Sequence, residues 1–181
     1  MNRKVHRIKF PLLGDIAWMR DPQGEAVYAG GLFLATHLRA DHFRQVGPTR
    51  QLIESYDLGS GVVTTAGVVK MAADWTNANA TIKDAKYHDC GTGTVAAAIG
   101  DTALGTPFGG ARVAGSQNNT SNVYTTVATI PFTSTLAITE WGLFTATTSV
   151  TLWDRRVFAA INVVNLDSIQ FTYDLTITAG G

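Results

Sequence analysis

Three side chains capable of nucleophilic or acid–base chemistry stand in a row at His88-Asp89-Cys90. In an extended strand the first and third share one face and the second points away. Nucleophilic catalysis by a Cys–His pair also needs a third group to orient the base. The other histidines, His6, His37 and His42, all lie upstream. His37 and His42 are five residues apart, which misses the i, i+4 spacing of a helical His pair, so the further ligands of a tetrahedral zinc site are lacking. A buried thiol beside a structural histidine is the expected outcome.

Glu140 is the most informative ionisable residue. It falls in phase with Leu136 and Ile138 and so points to the core side of a strand unless a bulge intervenes. A carboxylate there must be paired or hydrogen-bonded. The only basic residues from 87 onward are Arg112, Arg155 and Arg156, and a structural ion pair of Glu140 with Arg112 or Arg155 is the expected use. The catalytic alternative is a glycosidase-type pair with Asp154, which requires a cleft that nothing in the sequence supports. Gly91-Thr92-Gly93-Thr94 invites comparison with a phosphate loop, but it has neither the spacing nor the Lys-Ser/Thr that cradles phosphate, and reads as a turn. The sequons at Asn79 and Asn118 need a secretory route, which the N-terminus does not suggest.

The elements that must position these residues are legible mainly in the second half. From Asp167 to Thr178, Ile169, Phe171, Tyr173, Leu175 and Ile177 alternate with polar residues, a period of two that predicts a half-buried antiparallel strand. Arg156–Val164 predicts a strand covered on both faces, joined to the last one by a hairpin at Asn165-Leu166-Asp167. Val123–Phe132 and Thr135–Phe144 predict two more, and Thr151–Trp153 begins another after a polar turn. Short strands at roughly ten-residue spacing with turns between them argue for a sandwich or barrel. Upstream, Thr64 or Thr65 caps a short helix bearing Val68, Val69, Ala72 and Trp75. Lys86–Cys90 reads as a strand, Val95–Leu104 as a helical turn or loop, Gly109–Tyr124 as an exposed loop, and Leu32–Phe43 as a helix. The expected fold is mainly β: an antiparallel, jelly-roll-like β-sandwich at 59–181, with one or two short helices and an N-terminal arm at 1–58.

Charge is scarce, at 15% of 181 residues, and balanced, with 14 Lys and Arg against 14 Asp and Glu. A neutral chain lacks a general electrostatic grip on nucleic acid or anionic lipid, and it also repels its own copies weakly. No direct nucleic-acid partner is therefore expected. The longest apolar runs are too short for a membrane span or a signal peptide, so no membrane partner is expected either. The single cysteine excludes an internal disulfide framework and suits a reducing cytoplasm. Eight of the basic residues fall within 1–58, where Leu12, Leu13, Trp18, Leu32 and Phe33 sit among Pro and Gly without a clean period. Large side chains in such a segment fit an arm that packs on another subunit.

Residues 59–181 carry, in order, Gly61-Val62-Val63-Thr64-Thr65-Ala66-Gly67, Lys86-Tyr87-His88, Gly91-Thr92-Gly93-Thr94, Gly100-Asp101-Thr102-Ala103-Leu104, Ile138-Thr139-Glu140-Trp141-Gly142-Leu143-Phe144, Leu152-Trp153-Asp154-Arg155 and Asp167-Ser168-Ile169-Gln170-Phe171-Thr172-Tyr173. This succession resembles the small structural proteins encoded by tailed bacteriophages. The resemblance implies a virion component, assembled in the host cytoplasm, with no catalytic residue, cofactor or metal to carry over. The expected role is a capsid decoration (cement) protein that homo-oligomerises and holds to the major capsid protein and sister copies. The assembly contacts would be Leu12, Leu13, Trp18, Leu32 and Phe33. A tail-fibre or host-recognition module with binding loops around Gly109–Asn122 is the alternative, and a polysaccharide-degrading enzyme the third reading.

Overall fold

The computed structural model describes residues 6–10, 14–20, 26–28, 32–77, 80–148 and 150–179, with side chains from 33 onward. The chain divides into two compact units, Met1–Leu34 with Thr176–Gly181, and Ala35–Leu175. In the first, β1 (His6–Phe10), β2 (Gly14–Arg20) and β3 (Ala26–Tyr28) form an antiparallel sheet in chain order.

The second unit is a β-sandwich. Its strands follow as β4 (Leu32–Val46), β5 (Thr49–Gly59), β6 (Val62–Val63), β7 (Tyr87–Gly91), β8 (Val113–Ala114), β9 (Ser116–Thr120), β10 (Val123–Pro131), β11 (Leu136–Phe144), β12 (Leu152–Val163) and β13 (Asp167–Ala179). One five-stranded sheet has the order β5-β4-β13-β10-β9, the other β6-β12-β11-β7-β8. Between them, Trp141 of β11 stacks on Tyr173 of β13 at 5.3 Å and tilts against Phe171 at 6.3 Å. Leu38, Ile130, Ile138, Leu143 and Ile161 are likewise fully buried. The alternation seen in the sequence from Ile169 to Leu175 is the inward face of β13.

Several expectations are corrected. Leu32–Phe43 is the strand β4, not a helix. Thr36, Leu38, Ala40 and His42 are buried while their neighbours are not, so the true period is two. The polar members of that inward row, Thr36 and His42, take their partners from Gly61 and Asp167, far along the chain, which hid the alternation. The compact unit accordingly begins at Ala35 rather than at Gly59, since β4 and β5 belong to its first sheet. Asn165-Leu166-Asp167 is not a hairpin: β12 and β13 lie in different sheets. The link passes between them on bonds from Leu166 N–H to Phe132 O and from Phe132 N–H to Asp167 O. β12 is not covered on both faces along its length, for Ala159, Ala160 and Asn162 are exposed. Gly109–Tyr124 contains β8, β9 and the start of β10 rather than a free loop.

The short helix is found as expected: α1 (Thr65–Asp74), with Thr64 as its N-cap accepting from Gly67 N–H at 3.0 Å. It lies on β12 at Gly67, where an added Cβ would come within 2.9 Å of both the Trp153 ring and its carbonyl oxygen. Backbone cannot yield as a side chain does, so Gly67→Ala is expected to cost about 1–3 kcal/mol in a urea melt by overpacking.

Candidate functional site

The residues singled out for chemistry gather on β7, β11 and β12, the adjacent middle strands of the second sheet. The pairing of β11 with β12 is interrupted between Ile138 and Glu140. That irregularity matters, because Trp141 faces the opposite sheet and its neighbour Glu140 therefore points to the other side. There the segment from Gly91 to Thr106 folds over it. The carboxylate is buried as expected, but under this loop rather than in the sandwich interior.

Glu140 is saturated with donors. Oε1 accepts from the N–H groups of Gly93 (3.1 Å) and Thr106 (2.6 Å), and Oε2 from Gly105 N–H (2.9 Å) and from Arg155 Nε (3.0 Å) and Nη2 (2.7 Å). Burial by itself would raise its pKa. The Thr106 amide, Arg155 and the Gly105 amide outweigh that and hold it below the ordinary value. Arg155 reaches on to Asp101 Oδ2 (2.8 Å) and to Val95 O (3.1 Å). A Cβ on Gly93 would fall 2.4 Å from the carboxylate, so the loop closes this tightly only because the residue is glycine. A general acid must offer an oxygen to its substrate. Both oxygens of Glu140 already hold the loop.

Of the two arginines expected to partner Glu140, Arg155 does and Arg112 does not. Arg112 stacks over Phe144 at 3.9 Å, donates to Thr147 O at 2.6 Å and stands 3.4 Å from Asp89. Arg156 donates to Leu58 O at 2.7 Å. His88-Asp89-Cys90 is split between two faces. Asp89 meets Arg112, while His88 Nδ1 accepts from Trp141 Nε1 at 3.1 Å and Nε2 donates to Thr126 Oγ1 at 3.2 Å. Accepting from the indole fixes the neutral tautomer, and burial pulls the His88 pKa down to about 3. Burial first, then Asp89 and Glu140, pushes the Cys90 thiol far above its usual range. A protonated thiol is not a nucleophile.

Asp154 lies on the interior side instead. Its Oδ2 accepts from Tyr173 OH (3.1 Å), which accepts in turn from Trp153 Nε1 (3.0 Å), while Oδ1 has no hydrogen-bond partner among the described residues. It does not face Glu140 across a cleft, because β12 presents Arg155 to one side and Asp154 to the other.

One cluster gave no local signal in the sequence. Asp167 receives Arg44 through two bonds (2.8 and 2.9 Å), His42 Nε2 at 2.9 Å and Val164 N–H at 3.0 Å. The Arg44 bonds are the chief reason its pKa falls far below the usual carboxylate range. The partners stand 123 and 125 positions apart, beyond any local pattern.

Among the expected assembly residues, Phe33 is 44% exposed. The side chains of Trp18 and Leu32, and the whole of Leu12 and Leu13, lie outside the described residues. Among the described residues no group of three or more His, Cys, Asp or Glu could hold a metal ion, and no helix is long and apolar enough to cross a membrane. Comparison of the chain with protein-family models, with curated proteins and with solved structures finds no match.

Proposed function

We infer that this chain is a non-enzymatic structural protein of a tailed-bacteriophage virion, acting as a capsid decoration protein that holds to the major capsid protein and to sister copies. The observation that carries the reading is the β4–β5 hairpin. From Thr49 to Ser55 every residue of β5 is exposed, although successive side chains point to opposite faces of the sheet. A strand open on both faces is uncovered by its own domain, and here it presents Leu52 and Ile53, with Val46 exposed beside it on β4. Arg50 packs over the Phe43 ring at 3.7 Å, which braces this end. The hairpin belongs to the first sheet of the sandwich, so the contact it offers is carried by the body itself. The buried carboxylates, histidine and thiol, each bound up by neighbouring groups in the sandwich or under its covering loop, favour a structural role over a catalytic one. Many weak contacts on a repeating shell multiply through effective concentration, which suits a small, neutral, sheet-built block.

A tail or host-recognition role is favoured by one feature, the edge strand β9. Its residues Ser116–Thr120 are all exposed and offer only hydroxyl and amide groups, a chemistry suited to a glycan. Counting this chain in purified particles by quantitative mass spectrometry separates the readings. A decoration protein should occur in numbers comparable with the shell subunits, and its loss should lower the temperature that particles survive. Far fewer copies would favour the tail reading, and absence from particles would overturn both.

A further inference from the structure

Helix α1 is amphipathic the wrong way round for a lone domain. Its body side carries Gly67 and Asp74, the latter paired with Lys70 and accepting from the N–H groups of Thr81 and Ile82. Its solvent side carries Val68, Val69, Ala72, Ala73 and, just past the last turn, Trp75. At 3.6 residues per turn these five fall within one contiguous face, which the exposed Thr65 and Thr76 share. Val69 is 61% and Trp75 77% exposed. Ile99, whose carbonyl accepts from Thr65 N–H, flanks the first turn and is 68% exposed. Together with Val68, these side chains leave open on the order of 500 Å² of apolar surface, at the upper end of what a monomer carries and a large part of the roughly 800 Å² per partner of a standard interface.

We propose that this face is a self-association surface on which α1 of one copy packs antiparallel against α1 of a second copy. Two observations select a second copy as the occupant. The face meets no like charge when it meets itself, because Lys70 and Asp74 are closed on each other and no other ionisable side chain lies on the helix. Its residue sizes are also self-complementary. With Ala72 on a two-fold axis, the small Ala72 and Ala73 let the helices approach, and Val69 of each copy meets Trp75 of the other. Such reciprocal contact is what an isologous interface requires. Only α1 and Ile99 are involved, so the pairing holds whether or not the chain is a virion component.

Sedimentation velocity over a dilution series of the full chain tests it. The native sequence should be dimeric at roughly micromolar concentration and above, dissociating on dilution. Val69→Lys, which sets charges into the contact from both copies, should remain monomeric over the same range with an unchanged circular dichroism spectrum. Ala72→Cys should form a covalent dimer with oxidised glutathione, since Cys90 is buried and cannot compete. A native chain that stays monomeric, or a Val69→Lys variant that dimerises as the native chain does, overturns the proposal. A dimer that Ala72→Cys cannot link overturns the antiparallel arrangement.

Discussion

Glu140→Ala is expected to lower the stability of the fold by at least about 3 kcal/mol, because removing one member of a buried ion pair leaves the other charge uncompensated. Arg155 is buried and would keep only Asp101 and the Val95 carbonyl. The N–H groups of Gly93, Gly105 and Thr106 would lose their acceptor at the same time. That of the buried Gly93 would cost about 1 kcal/mol or more, while Gly105 and Thr106 are exposed and can turn to water. Set against a typical domain stability of roughly 5–15 kcal/mol, this one change removes a substantial share. The double variant Glu140→Ala/Arg155→Met should be less damaging than the sum of the two single changes, since it removes both charges together. Urea denaturation of the four proteins in this cycle measures the coupling. A loss under about 1 kcal/mol for Glu140→Ala would show that the loop does not depend on its carboxylate.

The second large effect is a dependence on pH. Burial is the chief influence on Asp154 and carries its pKa up to about 7, against the pull of Tyr173, Thr36 and the amides of Arg155 and Val62. The folded state therefore holds a proton that the unfolded chain releases near its ordinary value of 3.8. Below that value both states are protonated and the favourable contribution is complete. Between it and about pH 7 the contribution drains away, and above that both states are ionised and the deficit stays constant. The total is on the order of 4 kcal/mol, because each tenfold change in proton affinity is worth about 1.4 kcal/mol. Asp154→Asn lacks this titration, so its stability relative to the native chain should rise by most of that amount between about pH 4 and pH 8.5. A parallel offset at both pH values would mean that Asp154 ionises as it does in water. Asp167 and Glu140 act in the opposite sense, as their lowered pKa values withdraw stability on acidification.

What the sequence disclosed and what it hid follow from the range of the interactions. β13 was legible because its inward row, Ile169 to Leu175, is apolar and its outward row polar, so one strand's own alternation carried the signal. The Thr64 cap was legible for the same local reason. β4 was not, because its inward row includes Thr36 and His42, whose partners are contributed by other parts of the chain. The burial of Glu140 was reasoned from its phase in the strand and its pairing with Arg112 or Arg155 from the shortage of other cations, yet the direction of its side chain depends on a register break that no periodicity records. The stripe Val68, Val69, Ala72 and Trp75 had helical spacing, and the helix exists. Spacing alone does not say which side is wet.

Strand β13 occupies the middle of its sheet, with β4 on one side and β10 on the other. Neither half of that sheet can find its neighbour until residues 167–179 have left the ribosome. Closure of the sandwich must then wait for a strand made long after β4, and a product cut short before that point has no partial sandwich in which to hide. Without β13 the first sheet would fall into two separate pairs, β5-β4 and β10-β9, so the last strand to be made is the one that joins them.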